Sequence, residues 1–329
     1  MTPGGLPALV APDSFKGSFS APQVAAAIAA GLRSAGRDAV ELPVADGGEG
    51  TLEVLVGAIG GELLTLTVSD PLGRPVEARF GLLPDGTGVV ETAQASGLAL
   101  VGEDERDPWE ASTRGTGELI AAAAAAGSGA VMVTVGGSAT TDGGAGALAA
   151  LEEAGARPEL ELLCDVTVPF ERAAAVFGPQ KGADAAMVAR LERRLHELAA
   201  GFRRDPRGEP MTGAAGGLSG ALWAEHGARL AAGAPRVLEA IGFDAHMRAA
   251  AFVVTGEGRI DSQTLHGKIV GEIATRCRQG GVTCHAIVGR DDLDPFAERI
   301  LDLASITEAT DEEELRAAGA ALVREEPPE

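Results

Sequence analysis

The stretch Val131-Met132-Val133-Thr134-Val135-Gly136-Gly137-Ser138-Ala139-Thr140-Thr141-Asp142-Gly143-Gly144-Ala145-Gly146 decides how the chain is read. Val131 to Val135 is a run of apolar or β-branched residues stopped by glycine, the pattern of a strand buried on both faces of a parallel sheet. Glycines, hydroxyls and one acid follow, and an alanine-rich helix runs on to about Gly155. A strand that breaks into glycines ahead of a helix exposes backbone N–H groups at the helix's positive end, which suits phosphate. Hydroxyls add donors, and a loop carboxylate can hold magnesium. Gly136, Gly137, Ser138, Thr140, Thr141, Gly143 and Gly144 are therefore candidate phosphate-cradle residues, and Asp142 a candidate metal ligand. The same composition also suits a purely structural glycine-rich turn.

Composition narrows the classes. The chain has 329 residues, 45% hydrophobic and 23% charged, ordinary for one large or two average globular domains. A net charge of −21 argues against a nucleic-acid backbone or an anionic membrane as partner. The sequence has no apolar run long enough to span a bilayer and no basic, apolar leader at its start, so a cytoplasmic location is expected. Cys164, Cys277 and Cys284 lack metal or redox spacing and read as small core residues in a reduced compartment.

Only three of the 27 lysines and arginines are lysines, and each stands against a glycine: Lys16-Gly17, Lys181-Gly182 and Gly267-Lys268. Where arginine so dominates, a retained lysine suggests a position needing a compact ammonium that the wider guanidinium cannot replace.

Two further segments repeat the opening pattern. A strand over Ala8–Pro12 ends in Asp13-Ser14-Phe15-Lys16-Gly17-Ser18, and Ser20 with Gln23 caps a helix to about Ala35. A second strand, Ala39–Val44, ends in Ala45-Asp46-Gly47-Gly48-Glu49-Gly50 before a helix over Thr51–Ile59. Three strands with tight turns come next, Leu63–Val68, Val76–Leu83 and Gly88–Thr92, an antiparallel meander. With the helix Gly115–Ala126 and the opening strand they make an αβββαβ run. A strand over Glu161–Thr167 and helices over Ala183–Ala200, Gly217–Leu230 and Arg236–Arg248 are expected beyond it. Alternation resumes with the strand Phe252–Thr255, ending in Gly256-Glu257-Gly258-Arg259-Ile260-Asp261, then a helix from Gly267 to Cys277 and strands at His285–Val288 and Leu303–Ile306. Thr310 and Glu313 are expected to cap a last helix.

The pattern predicts an α/β chain of two domains: a flavodoxin-like, doubly wound parallel sheet from residues 1–58 and 236–329, and an inserted α/β domain over residues 59–235 carrying the meander. Strand order 2-1-3-4-5 would put the switch point between the first strand and the Phe252 strand. Asp13–Lys16 would line one side of that crevice and Gly256–Asp261 the other.

The segments Ala11–Ser18, Ala45–Thr51, Gly136–Gly144, Val176–Ala183 and Thr255–Asp261 together resemble the bacterial glycerate kinase type I family, over about Leu9 to Gly289. The resemblance implies transfer of the ATP γ-phosphoryl group to D-glycerate, giving 2-phosphoglycerate, with magnesium as cofactor. It also implies a restriction-endonuclease-like topology for the inserted domain, a site in the cleft between the domains, and a monomer or homodimer. The chain departs from the family in a shortened Gly155–Leu162 segment and in Val168-Pro169-Phe170-Glu171.

Phosphoryl transfer needs positioning and charge neutralisation more than covalent chemistry. Lys16 and Lys181 are candidates for the γ-phosphate and the glycerate carboxylate, in either order. Asp142, Asp165, Glu257 and Asp261 compete for magnesium and general-base roles. On this reading Asp13, Lys16, Lys181 and Asp261 are catalytic, and Asp142, Asp165 and Glu257 are metal ligands. Lys268 joins the nucleotide ligands. Ser14, Asp46, Glu49 and Arg259 contact substrate, Arg259 alternatively pairing with Glu257. His266 is the one histidine placed near this set. Gly144-x-Gly146-x-x-Ala149 with Asp165 downstream fits a dinucleotide fingerprint, so an oxidoreductase is a competing reading, as is a kinase of another small hydroxy acid.

Overall fold

The computed structural model describes residues 5–265 and 268–325. By internal contacts the chain forms two compact units, Met1–Asp46 with Ala234–Glu329, and Gly47–Gly233. The second unit begins ahead of the helix Thr51–Ile59, because that helix packs on strands of the second unit. No helix among the described residues is long and apolar enough to cross a membrane.

The first unit is built on β1 (Ala8–Pro12) and β2 (Ala39–Glu41) from the N-terminal segment, and on three strands from the C-terminal segment. The remaining strands of the chain, in order, are β3 (Glu62–Ser69), β4 (Pro75–Leu82), β5 (Gly88–Glu91), β6 (Ala130–Thr134), β7 (Glu159–Cys164), β8 (Arg229–Ala232), β9 (Phe252–Gly256), β10 (Thr283–Val288) and β11 (Ser305–Glu308). The first sheet runs β11-β10-β9-β1-β2, every pair parallel. β1 and β9 are neighbours whose intervening connections run to opposite sides, which is the switch point the strand alternation implied. β1 and β9 are entirely buried, as continuous apolar runs in a covered parallel sheet should be. On one face the helix Ala21–Ser34 packs against Glu312–Glu325. Two glycines permit that approach: a Cβ on Gly31 would lie 2.0 Å from the Arg316 carbonyl oxygen, and one on Gly319 2.4 Å from that of Ile28.

The second unit holds a six-stranded sheet, β3-β4-β5-β6-β7-β8. Its first two pairings are antiparallel, the expected meander, and β5 to β8 are parallel. Helices Arg114–Ala125 and Ala145–Ala154 pack together at Gly117, where a Cβ would meet the Ala147 carbonyl at 2.6 Å. A second small core gathers Phe170, Leu191 and Leu195, with Phe170 edge-on to Phe202.

Several elements differ from the sequence reading. The helix expected over Gly217–Leu230 spans Leu218–His226, stops at left-handed Gly227, and gives way to β8. β8 is an edge strand of four residues, too short to announce itself. The helix expected over Arg236–Arg248 is two, Gly233–Ala240 and Phe243–Arg248, broken at Gly242 with φ +68°. β7 lies about two residues earlier than expected and β11 about two later. The last helix is capped one residue on: Asp311 Oδ1 accepts from Glu314 N at 2.8 Å, and Glu314 reaches back to Thr310 N at 2.7 Å. The Ser20 cap is present, its N–H donating to Gln23 Oε1 at 2.9 Å.

Candidate functional site

At the carboxyl ends of β1 and β9 the first unit opens a cavity of ≈ 370 Å³. Asp13, Ser14, Lys16, Asp46, Glu257, Arg259 and Lys268 line it. The backbone explains the convergence. Asp13 N donates to the Gly256 carbonyl at 2.8 Å, so the β1–β9 pairing extends one step past the strand before the chains part. Gly258 lets the second loop close on the first, since a Cβ there would come within 3.2 Å of Phe15 Cα.

The acids of this cavity are crowded. Asp13 is 5% exposed, and its Oδ1 accepts from Ser14 N at 2.6 Å. Burial, and next the charge of Asp46, push its carboxyl from 3.8 up to about 8; the Ser14 bond and Lys16 oppose them. Glu257 is raised too, chiefly by burial, against the pull of Lys268 and a hydrogen bond from Thr264 Oγ1 at 3.0 Å. Cations stand around them. Lys16, its side chain 68% exposed, lies 3.9 Å from Asp46; Lys268 Nζ lies 3.6 Å from Glu257 and 3.9 Å from Asp261. Arg259 pairs with Asp292 at 2.7 Å and lies 3.8 Å from Asp261, so the partner expected in Glu257 is Asp292. Asp261 is thus held beside the cavity by Lys268 and Arg259. His266 lies outside the described residues.

The remaining candidates belong to the second unit. Gly137 takes φ +69° and is exposed, and Gly136 is half-buried beside Gly48. Among the described residues the N–H groups of Gly136, Gly137 and Ser138 have no protein acceptor. Glu49 is exposed nearby, its Oε2 3.9 Å from where a Gly137 Cβ would stand. Asp165 is exposed just past the end of β7.

From Ala139 onward the loop turns inward, and the cradle expected to run to Gly144 shortens to its first three residues. Ala139 N is taken by the Ser96 carbonyl and Gly143 N by that of Gly216. A Cβ on Gly143 would meet Leu198 at 2.6 Å, and one on Gly144 would meet Ala221 at 2.5 Å, so these glycines serve helix packing. Thr140 and Thr141 are fully buried. Asp142, 2% exposed, accepts from Thr113 N and Oγ1 through Oδ2 at 2.9 and 2.8 Å, from Gly146 N at 3.1 Å, and from Gly144 N through Oδ1 at 3.0 Å. Four donors occupy this carboxylate, which makes it a loop clamp rather than the expected metal ligand. The dinucleotide reading fails on the same facts: Gly144 and Gly146 are filled by protein, a Cβ on Gly146 lying 2.1 Å from Ser112 Oγ.

Lys181 is 6% exposed, and its Nζ donates to Ser138 Oγ at 2.9 Å and to the Thr140 carbonyl at 2.6 Å. It is therefore a buried brace under the loop, with its ammonium already bonded to protein where a ligand contact was expected. Burial lowers its ammonium from 10.5 to about 7. The sequence reading also missed Glu91, buried at the end of β5, whose Oε2 accepts from Gly50 N at 3.0 Å and Leu52 N at 3.2 Å. It caps the helix Thr51–Ile59 from another strand. An acid ending a buried strand was the available signal, but no glycine followed it.

Magnesium is bound through one or two carboxylates, phosphate oxygens and water, not through a closed protein cage. Among the described residues no three His, Cys, Asp or Glu side chains form such a cage. Asp46 and Glu257, crowded beside Asp13, fit a cation of the partly solvated kind.

A sequence model of the glycerate kinase family matches residues 8–157 and 152–325. The chain is 42% identical to a glycerate kinase from Bacillus subtilis (strain 168), over 85% of this chain and 84% of that one. It is 40% identical to a glycerate 2-kinase from Escherichia coli (strain K12), over 79% of each. A crystal structure assigned as glycerate kinase 2 from Salmonella typhimurium LT2 superposes with a TM-score of 0.83 at 34% identity, covering 98% of both chains. The chain belongs to the glycerate kinase family.

Proposed function

We propose that the protein is a glycerate 2-kinase, transferring the γ-phosphoryl group of ATP to the C2 hydroxyl of D-glycerate and releasing ADP and 2-phosphoglycerate. The observation that carries the reading is Asp13: a buried carboxyl, pushed up to about 8, at the switch-point cavity of a chain that belongs to this family. An acid so placed takes a proton near neutral pH, as a general base must. In the proposed step Asp13 accepts the hydroxyl proton as that oxygen forms its bond to the γ-phosphorus. The bond from phosphorus to the β,γ-bridging oxygen breaks, and ADP leaves with that electron pair.

Other residues neutralise charge. Lys16, Lys268 and Arg259 supply cations at the cavity for the glycerate carboxylate and the phosphates. Gly136, Gly137 and Ser138 contribute backbone donors for oxyanions, with Glu49 beside Gly137 as an exposed acid. Asp46 and Glu257 would hold magnesium, which when bound would neutralise phosphate charge.

ADP release is measured with Mg-ATP, with and without D-glycerate. Stimulation by D-glycerate is expected, and enolase alone should convert the product to phosphoenolpyruvate. ADP release that ignores D-glycerate would overturn the activity. Dependence on added phosphoglycerate mutase would move the phosphate to C3 and overturn the regiochemistry.

A further inference from the structure

The three lysines have unlike surroundings. Lys16 and Lys268 each have a carboxylate within 3.9 Å and 3.6 Å. Lys181 has none within ion-pair distance among the described residues. Its partners are a hydroxyl and a carbonyl, both neutral. An ammonium has three donors, and the third N–H of Lys181 has no acceptor there. Asp142 attracts it at longer range, but that carboxylate is already committed to four donors. Arg106 approaches the adjoining Gly182 through its backbone and Cβ, and its guanidinium lies 3.8 Å from Glu103. A buried cation lacking counter-charge is unfavourable, so it either loses its proton or is completed by an anion.

The loop that Lys181 braces carries three backbone donors with no protein acceptor among the described residues. Ser138, whose hydroxyl accepts from Lys181, belongs to the same segment as the N–H groups of Gly136 and Gly137. We infer that an oxyanion bound at Gly136–Ser138 supplies the missing counter-charge of Lys181, so that ligand and proton bind together. Which oxyanion rests on the kinase reading: a nucleotide phosphate or the glycerate carboxylate. The pH dependence follows by linkage. Free Lys181, lowered to about 7 by burial, is charged below that pH and neutral above it. The oxyanion prefers the charged form, so its affinity is level below about pH 7 and falls toward tenfold per unit above it.

With only three lysines, the protein labelled with 13C-lysine gives three Cε signals that can be followed against pH without any substitution. One should titrate near neutrality in the free protein. Saturation with a non-hydrolysable ATP analogue, or with D-glycerate, should move that midpoint up by at least about one unit, corresponding to tenfold coupling. Whichever ligand moves it is the source of the oxyanion. Calorimetry at pH 8 in buffers of different ionisation enthalpy should show proton uptake on binding, absent in Lys181→Arg, whose guanidinium is always charged. Three lysine signals all titrating above about 9.5, or a neutral midpoint that neither ligand moves, would overturn the inference. It fails separately from the kinase reading: lysine coupling without glycerate-stimulated ADP release would leave this inference standing, and the converse would leave the kinase.

Discussion

The cavity of the first unit and the loop of the second apply one physical rule with opposite signs. In the cavity, burial and crowding outweigh the nearby cations, and Asp13 rises to about 8. Under the loop, burial holds a base short of an anion, and Lys181 falls to about 7. Desolvation disfavours the charged form in both. Each region is therefore poised to become charged when a ligand of the opposite sign arrives. The difference lies in what each group faces: the acids line a cavity, whereas the equally buried lysine is bonded to the underside of its loop.

The comparison breaks most visibly at Asp13. Asp13→Asn should lower turnover by about a thousandfold, within the range for removing a general base. It should also raise the melting temperature at pH 8. The folded carboxyl lies above its ordinary 3.8, so its contribution to stability is intact below that value and is lost as pH rises toward about 8. Asparagine never ionises, so the gain, about 1 to 3 kcal/mol at pH 8, should disappear near pH 4. Kinetic assays with thermal melts at both pH values check this; unchanged turnover would remove Asp13 from the chemistry. The native enzyme's rate should climb with pH toward about 8 for the same reason.

Asp142 tests whether the loop acid is a clamp. Asp142→Ala should cost about 3 kcal/mol by chemical denaturation, since four buried or part-buried donors lose their acceptor. The magnesium concentration for half-maximal rate should not change, while Glu257→Gln should raise it about tenfold. The reverse pattern would return the metal to the loop. At the brace, Lys181→Arg should lower turnover by at least about tenfold, about 1.4 kcal/mol, because a planar fork cannot make the two contacts of a compact ammonium. Near-native kinetics would show that only its charge matters.

Glu91 sharpens the comparison at its small end. Its carboxyl is pushed from 4.5 to about 7 by burial, so its stabilisation is complete below 4.5 and declines as pH rises through 7. Glu91→Gln should be near neutral at pH 4.5 and about 1 kcal/mol more stable than the parent at pH 8. Equal stability difference at both values, read by urea denaturation, would mean that its charge is fully compensated by the two helix N–H groups.

Periodicity and strand-end glycines were enough to locate the first sheet, its order and the cavity residues Asp13, Lys16, Asp46 and Glu257. They failed at β8, whose four residues are too few to show an alternation. They failed again along Ala139–Gly146, where glycine has two possible uses. A glycine that admits a phosphate and one that admits a leucine look identical in one dimension, and only the neighbours Leu198 and Ala221 distinguish them.

What the sequence by itself determined was local: which runs are strands, where each stops, and which acids and lysines stand at the ends. Those follow from side-chain alternation and from the backbone freedom of glycine, both encoded within a few residues. Tertiary structure decided how each charged group is spent. Asp142 and Lys181 carry the same kind of signal as Asp13 and Lys16, yet the first two are buried in hydrogen bonds and the others line a cavity. Solvation and hydrogen-bond partners set a charge's energy, and for Lys181 those partners come from segments some forty residues away.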